Sequence, residues 1–84
     1  MSEDNLNQLE AHLLTLGRQE LALERKIQEL LIITQEFGRT NRFPEADQAW
    51  QLREHLRTEL AILQANITHI ERTLYTARRQ TNRP

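Results

Sequence analysis

Apolar residues recur every three or four positions along almost the whole chain, in two separate stripes. This spacing gives a helix one apolar face, and its seven-residue repeat is typical of helices that pack together in a coiled coil. The pattern therefore predicts two long α-helices. The first stripe is Leu6, Leu9, Leu13, Leu16, Leu23, Ile27, Leu30 and Phe37, and the second is Ala49, Leu52, Leu56, Leu60, Leu63, Ile67, Ile70, Leu74 and Ala77.

The segment between the stripes has the composition of a tight reversal. Gly38 suits the left-handed backbone conformation that often ends a helix, and Pro44 suits the first turn of the next helix. We therefore predict one domain over residues 1–84, with helices at about 3–37 and 44–80, a turn at 38–43 and a frayed tail at 81–84. Because so short a connection makes neighbouring helices antiparallel, the expected fold is an all-α, antiparallel two-helix hairpin.

The pairing of the two stripes can be checked by arithmetic. In an antiparallel hairpin, residues that face each other have numbers that add up to a constant. Leu6 with Ala77 and Leu9 with Leu74 both add up to 83, as do four further pairs along the stripes. The midpoint of this register lies between Asn41 and Arg42, inside the segment chosen as the turn from its Gly and Pro.

The ends of the predicted helices carry suitable charges. Ser2 is a candidate N-cap, and acidic residues in the first turns of both helices complement the helix dipoles. A basic C-terminus would lie beside Glu3 and Asp4 in the hairpin, which favours local neutralisation over binding of nucleic acid. The basic residues concerned are Arg78, Arg79 and Arg83.

Two helices that touch along one seam bury little apolar surface, so the hairpin is expected to be completed into a helical bundle by dimerisation or by a docked partner. Apolar residues also lie beside each stripe. Because the register brings Ile33 opposite Trp50, we expect an aromatic cluster near the turn that contains three of the four aromatic residues, and Trp is a preferred interface anchor. Its expected members are Ile32, Ile33, Phe37, Phe43 and Trp50. In the alternative interpretation, Phe37 and Phe43 only close the end of the hairpin beneath Trp50. The predicted partner-binding residues are Leu14, Leu21, Ile32, Ile33, Phe37, Phe43, Trp50 and Tyr75.

Two polar residues interrupt the first stripe, and one glycine lies inside the first predicted helix. Glu20 and Thr34 occupy seam positions, where a polar side chain either selects the register or reaches out to water. Gly17 costs a helix about 1 kcal/mol and signals either a close backbone approach or simple tolerance. The sequence leaves these alternatives open.

Signatures of catalysis are absent from the sequence. There is no cysteine, no glycine-rich phosphate loop and no glycine-flanked nucleophile. His12, His55 and His69 lack the spacing of a helical metal pair. We therefore predict a non-enzymatic protein with no cofactor, no metal site and no small-molecule substrate.

Charge and hydropathy point to a protein partner rather than to a membrane or nucleic acid. The formal net charge is only −1, and the longest apolar run, residues 30–33, is far too short to span a bilayer. Acidic and polar residues follow Met1 where a targeting peptide would be basic. These features predict a cytoplasmic protein.

Residues 43–52, FPEADQAWQL, resemble the start of the second helix in the small co-chaperones of type III secretion needle subunits, most closely at Pro44, Trp50 and Gln51. The resemblance covers some twenty residues. It implies a cytoplasmic helical hairpin that docks on a tetratricopeptide-type chaperone and helps to keep a needle subunit monomeric. A second run at residues 49–56 is similar to the short hairpin motif of nucleotide-excision-repair subunits, without its acidic-aromatic lead-in.

Taken together, the sequence predicts a small chaperone or adaptor that binds a partner protein through apolar helix faces. The alternative is a homodimeric four-helix bundle that serves as an assembly module or a phage-type regulatory protein. The adaptor is expected to be marginally stable alone, whereas the homodimer should melt sharply without a partner.

Overall fold

The computed structural model describes residues 2–81 and contains two α-helices, α1 (Glu3–Arg39) and α2 (Phe43–Thr81). The helices pack against each other as a hairpin that measures 66 × 15 × 14 Å. Its radius of gyration is 18.8 Å, whereas a compact domain of this length would have about 12 Å. The predicted all-α, two-helix hairpin is confirmed, and its completion into a bundle stays a prediction.

The first helix begins at the predicted cap. The Ser2 hydroxyl accepts a hydrogen bond of 3.2 Å from the backbone N–H of Asn5, one of the N–H groups that a helix start leaves unpaired. Glu3 and Asp4 lie in the first turn, where their charges complement the helix dipole.

The chain reverses through a Schellman motif one turn further along than the sequence suggests. The N–H of Arg42 donates to the carbonyl of Phe37 at 2.8 Å, and that of Asn41 donates to the carbonyl of Gly38 at 3.2 Å. Asn41 has the left-handed backbone conformation, with φ of 59°, and Gly38 does not. The assignment of the left-handed position to Gly38 is therefore wrong. Asparagine takes this conformation more readily than most residues, which lets α1 continue through Gly38 to Arg39.

The helix boundaries shift accordingly. Helix α1 runs two residues beyond the predicted end, and α2 begins at Phe43, so that Pro44 lies in its first turn as predicted. Of the predicted frayed tail, Thr81 is the last residue of α2. Residues 82–84, including Arg83, lie outside the described residues.

The best-buried part of the seam lies far from the turn. Leu6, Leu74 and Ala77 form a cluster that is 5–8% exposed, with Leu9, Leu13 and Ile70 packed against it. These six residues are the three facing pairs nearest the chain ends in the predicted register. The register is therefore supported at the end of the hairpin where no turn connects the helices.

The remainder of the seam is thinner and contains one departure from the predicted stripe. Outside the end cluster, only Leu16 and Ala46 are buried apolar residues in the described chain. Leu52, predicted to lie in the seam, is 50% exposed. Arg53 takes its place, with a side chain that is 15% exposed. The register explains the exchange, because the residue that adds up to 83 with Leu30 is Arg53 and not Leu52.

Two polar seam residues are accommodated differently. The Thr34 hydroxyl donates a hydrogen bond of 2.7 Å to the carbonyl of Leu30, one turn earlier in the same helix. Glu20 is half-buried and makes no hydrogen bond or ion pair with the described residues. Thr34 is thus satisfied within its own helix, whereas Glu20 reaches no protein partner in the hairpin.

Candidate protein-docking surface

Large apolar side chains are exposed along the whole length of the hairpin. Leu14 and Tyr75 are each 67% exposed, and Trp50 is 45% exposed. By contrast, the deepest side chain of the described core, Leu6, still keeps 5% of its surface in contact with solvent. The hairpin therefore presents more large apolar side chains than it buries. Those exposed are Leu14, Leu21, Ile32, Ile33, Phe43, Trp50, Leu52, Ile62 and Tyr75.

Helical periodicity and the register sort these residues onto two flat sides of the hairpin and its two outer edges. One flat side, which we call the tryptophan side, carries apolar residues from both helices over the full length of the rod. A groove lined by residues of both helices on this side confirms the placement near the chain ends. The apolar residues of the tryptophan side are Leu14, Leu21, Leu31, Phe43, Trp50, Ala61 and Tyr75.

The opposite flat side has fewer apolar residues. Ile33 and Leu52 lie across the seam from each other at the turn end, and Ile62 lies further along α2. We call this surface the Leu52 side. Ile32 belongs to neither flat side, because it lies on the outer edge of α1, directly away from the seam.

A groove of about 600 Å³ crosses the tryptophan side near the chain ends. Its apolar wall is formed by Leu13, Leu14, Leu74 and Tyr75, and its floor includes Gly17. A Cβ atom placed on Gly17 would meet nothing within 4 Å. The helices therefore do not approach each other closely at Gly17, and no contact requires a glycine there. The absence of a side chain instead leaves the groove open.

Charged residues border the same groove. Arg78 of α2 forms an ion pair with Glu10 of α1, which links the two helices across the groove. The sequence placed Arg78 beside Glu3 and Asp4, whereas the structure pairs it further along α1. Glu71 also lines the groove and has no ion pair with a described residue.

Arginines cover two of the aromatic rings near the turn. The guanidinium of Arg42 lies 5.0 Å from the ring centre of Phe37, and that of Arg53 lies 5.1 Å from the ring centre of Trp50. Arg53 also contacts Glu54 at 3.4 Å, but its Nε atom is buried without a hydrogen-bond partner. Phe37 is half-buried in the seam, whereas Phe43, which the alternative interpretation also assigns to closing the end of the hairpin, is 58% exposed.

Charge is distributed unevenly around the rod. The outer edges carry five arginines and one acid, which are Arg18, Arg25, Arg39, Arg72, Arg79 and Asp4. The tryptophan side carries six acids and two bases, a formal charge of −4, namely Glu3, Glu10, Glu24, Asp47, Glu54, Glu71, Arg57 and Arg78. The Leu52 side carries four acids and one lysine, a formal charge of −3, namely Glu29, Glu36, Glu45, Glu59 and Lys26. Both flat sides are therefore acidic, although the whole chain is nearly neutral.

The predicted partner-binding residues do not form one continuous surface. Five of them lie on the tryptophan side, but only Leu14 and Tyr75 line a common groove. The aromatic cluster expected near the turn is divided, because Ile33 and Trp50 lie at the same level on opposite flat sides. Leu52, Ile62 and the groove floor at Gly17 were missed. For Leu52 a signal existed, since the register assigns its seam position to Arg53.

Among the described residues, no group of three or more His, Cys, Asp or Glu side chains is arranged to hold a metal ion. His55 lies 3.1 Å from Glu59 on an exposed helix surface. Neither described helix contains a stretch long and apolar enough to cross a lipid bilayer.

Comparisons with protein-family models, with curated proteins and with solved structures found no match to this chain.

Proposed function

We propose that this chain is a non-enzymatic protein-interaction module, a small chaperone or adaptor that binds another protein through the tryptophan side. The observation that carries the proposal is the imbalance between exposed and buried apolar side chains in a hairpin only one seam thick. Isolated apolar residues on a protein surface are ordinary, but a strip that runs the length of a rod is typical of an interface.

The accessible surface supports the same proposal. The chain exposes 6591 Å², whereas a compact protein of 10.0 kDa exposes about 5,200 Å². The excess is larger than the area of about 800 Å² that each partner buries in a standard interface. A docked helix on one flat side would cover a surface of this size.

The adaptor role agrees with the resemblance of residues 43–52 to the needle-subunit co-chaperones. In that family a helical hairpin acts by docking and not by catalysis. Pro44 lies in the first turn of α2, and Trp50 is half-exposed on the side proposed here for the partner. We propose a cytoplasmic location on the same grounds.

A second candidate is a homodimeric four-helix bundle, used as an assembly module or a phage-type regulator. The Leu52 side favours it, because a hairpin with apolar residues on both flat sides offers a surface for a second copy. In that case the protein would melt cooperatively by itself, and its melting temperature would rise with its own concentration.

The proposal is tested by crosslinking inside the cells that make the protein. A photoreactive phenylalanine analogue replaces Tyr75 on the tryptophan side, and in a control it replaces Arg25 on the outer edge. We expect the Tyr75 position to crosslink to one other protein, identified by mass spectrometry, and the Arg25 position to give no such adduct.

The identified protein is then purified and mixed with the hairpin. The adaptor role requires saturable binding of fixed stoichiometry and a rise in the hairpin's melting temperature that grows with partner concentration. Crosslinks from Tyr75 only to a second copy of the chain would establish the homodimer instead. A hairpin that remains a sharply melting monomer and crosslinks to nothing would overturn both candidates.

A further inference from the structure

We propose that the groove on the tryptophan side receives a basic amphipathic helix from a different protein, with an apolar side chain seated over Gly17. This inference rests on the proposed function and specifies the chemistry of the partner. It is argued from the groove, from the unpaired acidic residues around it and from the surfaces that a second copy of the chain could offer.

The groove has the form of a socket for one apolar anchor. Leu14 and Tyr75 form opposite walls, one from each helix, and both are mostly exposed. Gly17 leaves the floor open without any contact that requires a glycine. Since glycine weakens a helix interior, the absent side chain has an energetic cost that the isolated hairpin does not recover. A partner side chain in the groove would use the open space.

Acidic residues flank this socket on both sides along the rod. In the hairpin register, Glu71 lies level with His12, five residues toward the chain ends from Gly17. Glu24 lies seven residues toward the turn. The two carboxylates are therefore about 18 Å apart along the axis, the rise of about twelve residues of helix. Neither makes an ion pair with a described residue.

A helix that lies along the groove would match these features with a simple pattern. It would place an apolar residue at its centre and a Lys or Arg about five residues to one side and about seven to the other. Facing the formal charge of −4 on the tryptophan side, such a helix would gain favourable electrostatics, and an acidic helix would be repelled.

A second copy of the chain does not provide this combination. Its tryptophan side and its Leu52 side are apolar but acidic, so either one would bring like charges together. An excess of basic residues occurs only on its outer edges, where Ile32 is the one large apolar side chain that the structure exposes in the described helices. The charges therefore favour a different protein as the occupant.

The test uses two synthetic helical peptides with the same apolar residues. The basic peptide carries Lys at the two flanking positions and over its outer surface, and the acidic peptide carries Glu at the same places. Binding to the full chain is followed by anisotropy of a label on the peptide. We expect the basic peptide to bind about tenfold more tightly at low salt, and the difference to shrink as salt is raised.

Four variants locate the binding site. Combined E24K and E71K should weaken the basic peptide about tenfold and reverse the preference, whereas Glu29→Lys on the Leu52 side should leave it unchanged. Gly17→Leu should fill the groove and abolish binding of both peptides without lowering the melting temperature, because a Cβ atom at this position meets nothing within 4 Å and leucine favours a helix interior more than glycine does. Gly38→Ala, at a second helical glycine away from the groove, should preserve binding.

Several results would overturn the inference. They are equal binding of the two peptides, no binding of either, an equal effect of Glu29→Lys, or a self-associated chain that Gly17→Leu disperses. The crosslinking experiment judges the proposed function separately. A Tyr75 crosslink to a partner whose docking helix is not basic would keep the adaptor role and reject the charge-matched groove.

Discussion

The two ends of the hairpin hold their helices together in different ways. At the end that carries the chain termini, Leu6, Leu74 and Ala77 form the best-buried part of the molecule. At the turn end, Ala46 is the one buried apolar residue in the described structure, and Arg53 occupies a seam position. Three residues of chain and the Schellman hydrogen bonds keep the helices together there. The helices therefore pack most completely at the end of the hairpin where no turn connects them.

The largest effect is expected from the end cluster. Leu74→Ala should lower the free energy of unfolding by about 2–3 kcal/mol, because it removes a buried side chain and leaves a cavity between the helices. Urea denaturation measures this change, and amide hydrogen exchange should show faster opening at the termini than at the turn. Leu52→Ala is the matched control and should change stability by less than about 0.5 kcal/mol. Equal losses in the two variants would contradict the comparison.

At the turn end, the seam should become more stable when its buried arginine is removed. Arg53→Leu eliminates a buried Nε atom that has no partner and places an apolar side chain opposite Leu30. We expect a gain of about 1.5 kcal/mol, within the usual cost of an unpaired buried polar group, measured by urea denaturation. Arg57→Leu, at a half-exposed position on the same helix, should give no comparable gain. A loss of stability in Arg53→Leu would mean that its contact with Trp50 outweighs the unpaired atom.

The reversal itself can be tested at its left-handed residue. Asn41→Ala should cost about 1 kcal/mol, since an alanine Cβ is disfavoured at φ of 59°. Asn41→Gly should be neutral or slightly stabilising, because glycine adopts this conformation without that penalty. Thermal melting followed by circular dichroism compares the two variants. A larger loss in the glycine variant would show that the Asn41 side chain contributes more than its backbone preference.

The smallest effect concerns the arginine over Phe37. Arg42→Ala should lower stability by about 0.5 kcal/mol, the size of a cation–π contact at an exposed site. Arg39→Ala is the control, because Arg39 makes only an exposed ion pair with Glu36. Chemical denaturation of both variants should place Arg39→Ala closer to the unmodified protein. A larger loss of stability in Arg39→Ala than in Arg42→Ala would show that the contact between Arg42 and the Phe37 ring does not stabilise the turn.

Much of the fold follows from the sequence, because the heptad spacing of apolar residues can be read within each helix and also determines which residues of the two helices face each other. Two stripes mirrored about residues 41 and 42 predict both the helices and the pairs that pack between them. The end cluster contains three of those pairs. The seam prediction is wrong at one position, where the apolar character of a residue and the register disagree. Its apolar character favours Leu52 for the seam, whereas the register assigns that position to Arg53.

The docking surface was predicted less completely than the fold. Helical periodicity exposes Leu14, Leu21 and Tyr75 beside the seam, and the structure agrees that they are exposed. Periodicity along one helix does not indicate which flank of the hairpin a residue shares with the other helix. For that reason Ile33 and Trp50 were expected to share one cluster near the turn, whereas they lie at the same level on opposite flat sides.

The sequence by itself determined that this chain forms two helices, that they pack antiparallel and which residues form the seam near the termini. These properties depend on residue spacing, which the linear chain already contains. Only the tertiary structure decided that Asn41 makes the reversal, that Gly17 opens a groove and that Glu71 and Glu24 flank it. The reversal depends on where the first helix ends, and the groove depends on atoms from both helices in one place. The spacing of apolar residues within either helix specifies neither.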